Sequence, residues 1–164
     1  MSSTELKHDF ETPFGLMRAT VLSGALKAFT FSKDEKKEND EHETFNKLGA
    51  ELAAYFKGDL QKWTIPLAPE GTEFQQKVWK LLQEVKIGST LSYLELSKLY
   101  GDEKAIRAVA TANGVNPICI LIPCHRIIGS DDSLTGYAWG IEMKKELLQL
   151  EQKFTTKVDL FSDL

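Results

Sequence analysis

Pro123-Cys124-His125-Arg126 places a thiol, an imidazole and a guanidinium on consecutive residues, directly after the apolar run 118–122. The thiolate is the reactive form of cysteine, and nearby cations and hydrogen-bond donors favour it. A thiolate so placed is a candidate nucleophile, provided a histidine serves as its base and a third group orients that histidine. The competing reading is a structural thiol beside a satisfied histidine, and these four residues alone leave both open. The other cysteine, Cys119, stands among aliphatics and reads as a small buried hydrophobe. If residues 118–122 form a buried strand, at about 3.3 Å per residue the two cysteines lie roughly 17 Å apart. A disulfide needs Cα atoms within about 7 Å, so the pair is expected to stay unbridged. Two free thiols imply a reducing compartment. The three histidines are scattered, with no zinc-ligand spacing, so neither a metal nor a cofactor is expected.

The elements that must position this tetrapeptide follow from the pattern of the chain. Residues 11–32 read as strands, with apolar runs over 19–22 and 25–31 broken by the turn pair Ser23-Gly24. The charged run KDEKKENDEHE over 33–43 reads as a solvated loop or helix entry. A helix over about 44–56 carries Phe45, Leu48, Leu52 and Phe56 at helical spacing and stops at Gly58. Residues 63–69 are extended. Thr72 answered by Gln75 is a capping box, and Phe74, Val78, Leu81, Leu82 and Val85 then share one helix face. A second capping box, Ser92 with Glu95, opens a short helix that Gly101 ends. Asp102 can cap the next helix, about 103–112, on which Ile106, Val109, Ala110 and Asn113 share a face while Arg107 and Thr111 point elsewhere. Helix, glycine-containing turn, helix is the helix-turn-helix pattern, a weak indication of DNA binding by itself. After the strand 118–122 and a polar turn over 129–133, a last helix is expected over about 142–152.

The composition is that of a globular chain: 164 residues, 42% hydrophobic and 27% charged. No apolar run approaches the roughly 20 residues needed to cross a bilayer, and the polar amino terminus lacks the apolar core of a secretory signal. An intracellular protein with no membrane partner is expected. The net charge of −4 weighs against a DNA partner, because phosphates dominate such affinity. A DNA site here must be a local patch with modest, salt-sensitive binding.

Pro123-Cys124-His125-Arg126 resembles the active-site motif of the O6-alkylguanine-DNA alkyltransferases (methylated-DNA–protein-cysteine methyltransferases). Further anchors follow in that family's order: Gly71 to Gln75, Val78-Trp79, Ser92-Tyr93, Arg107-Ala108-Val109, Asn116-Pro117, Gly136-Tyr137 and Leu147 to Glu151. Thr12 to Gly15, Tyr55-Phe56 and Pro66-Leu67 resemble its amino-terminal half more diffusely. The resemblance implies an α+β fold: a small amino-terminal α/β domain of ribonuclease H-like shape, residues 1–67, then a mostly helical catalytic domain with a helix-turn-helix, residues 68–153, and a tail, 154–164. It implies single-turnover transfer of an alkyl group from O6 of guanine, and from O4 of thymine, to Cys124. His125 would act as base through a water, Glu151 would orient the imidazole, and Tyr93 would donate to the guanine ring. Asn116 would hold the turn before the active-site strand, and Arg126 would support the motif. The target atom is inaccessible in stacked duplex, so the nucleotide must be extruded. Arg107 would replace the flipped base, with Ala108, Ala110, Thr111 and Tyr93 against the DNA and with Asn113, Tyr137, Ala138 and Trp139 lining the pocket. The partner would be double-stranded DNA carrying O6-alkylguanine, bound by a protein that is monomeric without DNA and resides in a nucleus or a prokaryotic cytoplasm.

Departures from the family pattern bear on specificity. Asp131-Asp132 occupies a turn where many members have glycine, so a tight backbone there rests on Asp132 tolerating positive φ. Trp139 is expected to narrow the pocket and disfavour benzyl relative to methyl. The structural zinc site of some members has no counterpart in this chain. Three rivals differ in class. A damage-binding relative without transfer lacks the motif cysteine. A thiol hydrolase gives Arg107 no role, and a transcription regulator would rest on one short recognition helix in an acidic chain.

Overall fold

The computed structural model describes residues 4–60, 62–131, 133–134 and 136–162, the side chains of 155–162 excepted. It is a mixed α/β chain with two small sheets and five α-helices among the described residues. No helix among them is long and apolar enough to cross a membrane. The chain divides into two units, Met1–Glu70 with Pro117–Cys119, and Gly71–Asn116 with Ile120–Leu164. The break thus falls after Glu70 rather than 67, and 117–119 belongs with the first unit.

In the first unit, β1 (Leu6–Thr12), β2 (Gly15–Leu22) and β3 (Ala25–Phe31) form an antiparallel sheet in chain order. Ser23 and Gly24 both take positive φ, 54° and 81°, which two-residue hairpins of matching twist require. Met17, Ala19 and Val21 alternate inward along β2 and are buried, as are Leu26 and Phe29 of β3. Asp9 and Arg18 face each other across β1 and β2 and pair at 2.8 Å. Arg18 also reaches Asp34 and the Lys36 carbonyl, while the Asp9 amide donates to Glu38. The charged run is, as expected, a mostly exposed loop that leads into a helix, and these contacts tether it to the sheet. His42 caps α1 (Glu43–Lys57), and Gly58, at φ 80°, ends it. The buried face of α1 is Phe45, Leu48, Leu52 and Tyr55; Phe56, expected there, is only half-buried.

The second unit opens with α2 (Glu73–Gln83), whose capping box has both hydrogen bonds, Gln75 N to Thr72 Oγ1 at 3.1 Å and Thr72 N to Gln75 Oε1 at 2.9 Å. A Cβ on Gly71 would lie 2.5 Å from the Trp79 ring and 2.7 Å from Gln75 Oε1. Trp79 cannot retreat, being buried and donating from Nε1 to the Ala112 carbonyl at 2.9 Å. Overpacking of this kind costs typically 1–3 kcal/mol, so Gly71→Ala should lower the thermal midpoint; an unchanged melting curve would show that the ring gives way.

Two-residue strands β4 (Leu91–Ser92) and β5 (Ile127–Ile128) pair in parallel. Between them in the chain come α3 (Tyr93–Tyr100), closed by Gly101 at φ 107°, a short 3-10 turn (Glu103–Ala105) and α4 (Ile106–Gly114). The expected strand over 118–122 does not form. Ile118 makes one parallel bridge to Phe29, and Ile120 takes a left-handed φ of 72°. A continuous apolar run reports burial, and these residues are buried, but the turn uses that burial without a ladder. Both cysteines are free thiols, so the expectation of no disulfide stands although the strand geometry used for it does not. Cys124–Arg126 is a second 3-10 turn. The last helix, α5 (Ile141–Ser162), is longer than expected and continues through most of the segment set apart as a tail. In the loop before it, Asp131 Oδ1 accepts from the Ser133 amide at 3.1 Å. Asp132 lies outside the described residues, and with it the expected positive φ.

Candidate active site

The β4–β5 ladder is what assembles the site. Tyr93 directly follows β4 and the Cys124–Arg126 turn directly precedes β5, so pairing Leu91 with Ile127 and Ser92 with Ile128 brings the two stretches side by side. Neither strand was expected from the sequence, because two residues carry no periodicity.

Cys124 is 8% exposed. Its sulfur receives a hydrogen bond from Asn116 Nδ2 at 3.3 Å; the same amide donates to the Ile122 carbonyl at 2.7 Å. Asn116 thus ties the start of this turn to Ile122 and to the sulfur. Asn113, expected in the pocket, is buried with its amide 3.4 Å from the Cys124 carbonyl. Burial pushes the Cys124 thiol up, outweighing the Asn116 hydrogen bond and the attraction of the Lys144 ammonium, which pull it down. Desolvation disfavours the charged form of any group, so at rest the sulfur carries its proton.

His125 and Glu151 are both fully buried, with Nε2 and Oε2 2.7 Å apart. Burial drives the imidazole pKa down, against the pull of Glu151, so the ring is neutral. A neutral ring facing a carboxylate through Nε2 carries its proton there. Nδ1 then presents a lone pair, and this atom is buried with no hydrogen-bond partner among the described residues. Burial would raise the Glu151 carboxyl, but His125 and Arg126 outweigh it and hold the group at about 2. Arg126 grips both carboxylate oxygens, at 2.7 and 3.0 Å, and donates to the Val85 carbonyl at 2.6 Å. Arg126 therefore fixes the carboxylate that pairs with the histidine.

Tyr93 is half-buried, its hydroxyl 3.5 Å from the Gly136 carbonyl. Burial, then the neighbouring Cys124, push that hydroxyl up, so it stays protonated. Lys144, absent from the sequence-based candidates, is 0% exposed. Its Nζ donates to the Ile127 carbonyl at 2.5 Å and lies 5.9 Å from the centre of the Tyr93 ring. A signal existed in its helical spacing, three and seven residues ahead of buried Leu147 and Glu151.

The remaining candidates lie elsewhere in the second unit. On α4, Val109, Ala112 and Asn113 are buried, whereas Arg107, Ala108 and Thr111 are exposed and Ala110 is half-buried. The helix thus presents a cation flanked by small side chains to solvent. Tyr137 is half-buried, Ala138 is exposed and Trp139 is 37% exposed, in the turn that precedes α5.

Comparison with known proteins gives a consistent result. Residues 73–153 match the family model described as "6-O-methylguanine DNA methyltransferase, DNA binding domain". The methylated-DNA–protein-cysteine methyltransferase of Methanosarcina acetivorans is 45% identical over 150 residues, covering 87% of this chain and 95% of the relative. That of Haemophilus influenzae is 39% identical, covering 87% and 84%. The crystal structure of Mycobacterium tuberculosis O6-methylguanine methyltransferase is similar with a TM-score of 0.82 at 35% identity, covering 92% of this chain and 94% of that one. The same organism's OGT in complex with DNA gives 0.82 at 36%, covering 90% and 93%.

Proposed function

The chain belongs to the methylated-DNA–protein-cysteine methyltransferase family, and from that premise we propose that it repairs DNA by taking an alkyl group from O6 of guanine onto Cys124, once per molecule. The observation that carries this reading is the buried Cys124 thiol set directly before the His125–Glu151–Arg126 chain.

The geometry supports the following chemistry. Because the resting sulfur is protonated, proton removal belongs to the reaction itself. The open lone pair of His125 Nδ1 is the base, reached through one water, and Glu151 stabilises the imidazolium that forms. The sulfur bonds to the alkyl carbon as the carbon–oxygen bond breaks. The electron pair left on guanine is quenched by a proton from the Tyr93 hydroxyl, which His125 restores through solvent. The net proton moves from Cys124 to guanine. The product is a thioether without a leaving group, so the protein is consumed; O4-alkylthymine presents the same kind of carbon. Duplex DNA carrying the damaged base is the partner, met by a protein monomer. The exposed face of α4 carries recognition: Arg107 fills the stack that the flipped nucleotide leaves, with Ala108, Ala110 and Thr111 against the sugar-phosphate walls. The antiparallel sheet followed by α1 supports a ribonuclease H-like assignment for the first unit, with the second as the catalytic domain. The workplace is the compartment that holds the DNA, a nucleus or a prokaryotic cytoplasm.

Incubation with duplex carrying O6-methylguanine, followed by intact-mass measurement, tests this reading. The wild type should gain one methyl group and Cys124→Ser none. Tight binding without a mass change would instead establish a damage sensor, and repeated turnover of a thioester would establish a hydrolase. Tyr137, Ala138 and Trp139 form the pocket wall in this reading, and the indole excludes large groups. Transfer from O6-benzylguanine should therefore be slower than from O6-methylguanine, with Trp139→Gly removing the difference; equal wild-type rates would refute the role of the indole.

A further inference from the structure

Among the described residues of the second unit, His125 Nδ1 and Asn113 Oδ1 are buried side-chain atoms without a hydrogen-bond partner. The transfer chemistry uses the first as its base and gives the second no work. A buried polar atom without a partner is uncommon in native structures and calls for an explanation. Asn113 is 2% exposed, and leucine has the same branched outline without stranding an acceptor.

The orientation of the amide is fixed by its neighbour. Nδ2 lies 3.4 Å from the Cys124 carbonyl. A carbonyl oxygen only accepts, so the NH2 end of the amide faces it and Oδ1 faces the other way. The side chain also donates to the Tyr93 hydroxyl, a hydrogen bond that favours the phenolate and is outweighed by burial. Asn113 therefore stands between the residue that carries the sulfur and the residue that protonates the leaving base.

The flipped base has to reach the same two residues. When the carbon–oxygen bond breaks, negative charge spreads over O6, N1 and N3 of guanine. C2, which carries the exocyclic amine, lies between N1 and N3. That amine is the hydrogen-bond donor of the alkylated base, because O6-alkylation removes the N1 proton and leaves N1, N3 and N7 as acceptors. O4-alkylthymine offers no N–H at all.

We infer that Asn113 is a specificity-determining residue whose Oδ1 accepts a hydrogen bond from the 2-amino group of the flipped guanine. This rests on the alkyl-transfer reading and deepens it: O4-alkylthymine leaves the acceptor unpaired and is the poorer substrate. A site built to hydrogen-bond one group rejects the analogue lacking it, since its own buried polar atom then loses its partner.

The test uses the full-length protein and two duplexes of one sequence, carrying O6-methylguanine or O6-methylhypoxanthine, which lacks only the 2-amino group. Single-turnover transfer by the wild type should be about 10–100-fold slower from the hypoxanthine, the usual consequence of a buried acceptor left unpaired. Loss of the amine also weakens pairing and eases extrusion, an effect of opposite sign that cannot imitate the expected result. Asn113→Leu should bring the two rates together and raise transfer from O4-methylthymine relative to O6-methylguanine. Losing the contact with the Cys124 carbonyl would slow both purines alike, so the ratio isolates Oδ1. If the Leu variant does not fold, Asn113→Ala decides on the same ratio. Equal wild-type rates, or a ratio that persists in a folded Asn113 variant, would overturn the proposal while methyl transfer by the wild type still upholds repair. Binding of the two duplexes by Cys124→Ser, with and without Asn113→Leu, reads the acceptor without any transfer. A binding preference for the amine that Asn113→Leu abolishes, with no methyl gained by the wild type, would sink the repair reading alone.

Discussion

Glu151→Gln should cost the protein about 3–5 kcal/mol, the usual penalty for removing one partner of a buried ion pair. The carboxylate accepts two hydrogen bonds from Arg126 and one contact from His125, and both Glu151 and His125 are wholly inaccessible. The amide keeps the volume but sets an NH2 group against the guanidinium, leaving a buried cation uncompensated. For a chain of this size each kcal/mol is worth roughly 2–4 °C, so the midpoint should fall by about 6–20 °C. The double variant Arg126→Met, Glu151→Met removes both charges and should be more stable than Glu151→Gln. If the single variant melts like the wild type, the ion pair contributes nothing. Acid should act on the same group. Glu151 is depressed from 4.5 to about 2, so its stabilisation is complete above about 4.5 and is lost as pH falls toward 2. His125, buried neutral with its pKa lowered from 6.5, adds a loss of the same sign that begins below that value. Unfolding midpoints measured from neutral pH downward should therefore begin to fall below about 6.5, with the His125 loss, and fall further below about 4.5, with the Glu151 loss. Methyl transfer by Glu151→Gln, assayed on the fraction that remains folded, should drop by about 10²–10⁴-fold, the usual contribution of an oriented general base.

The parts of this site that were legible in the sequence are those where one residue type answers a local need. Thr72 with Gln75 and Ser92 with Glu95 form the two capping boxes, because an orphan amide at a helix start is met by the nearest hydroxyl. Gly58 and Gly101 end helices at positive φ for an equally local reason. What was not legible depends on partners distant in the chain. β1 alternates Leu6, His8 and Phe10 with charged residues, but its strand character depends on pairing with β2, where Arg18 meets Asp9. β4 and β5 exist only as each other's partner. The run 118–122 shows the reverse failure. Its apolarity was real, yet Ile120 at φ 72° turns the chain where a strand would have continued. The burial of Cys124 was illegible for a related reason: adjacent histidine and arginine are visible in sequence, whereas the depth that penalises a charged sulfur is not. Lys144 was passed over because a lysine in a helix is usually solvated, although its spacing from Leu147 and Glu151 put it on the buried face.

Arg107→Ala should separate the two halves of the reaction. The side chain is exposed on α4, so its loss should change stability by no more than about 0.5 kcal/mol. Reaction with free O6-methylguanine, which needs only the buried cluster around Cys124, should proceed at the wild-type rate. Repair of duplex should not, because extruding a nucleotide costs a few kcal/mol of stacking and pairing. Losing the group that fills the gap should return about 2–3 kcal/mol to the barrier, roughly a 10²-fold loss. A phosphate contact would behave differently. Removing one would reduce the salt slope of binding by about one and weaken all duplexes alike, in a chain whose net charge of −4 leaves few such contacts to spare. A base-replacing arginine stacks and donates through a planar fork, which an ammonium does not reproduce, so Arg107→Lys should restore the charge and the salt slope without restoring duplex repair. Equal losses on free base and duplex would mean that Arg107 acts on the chemistry rather than on extrusion. Full rescue by lysine would reduce it to a phosphate contact, and the exposed face of α4 would then bind DNA without entering the stack.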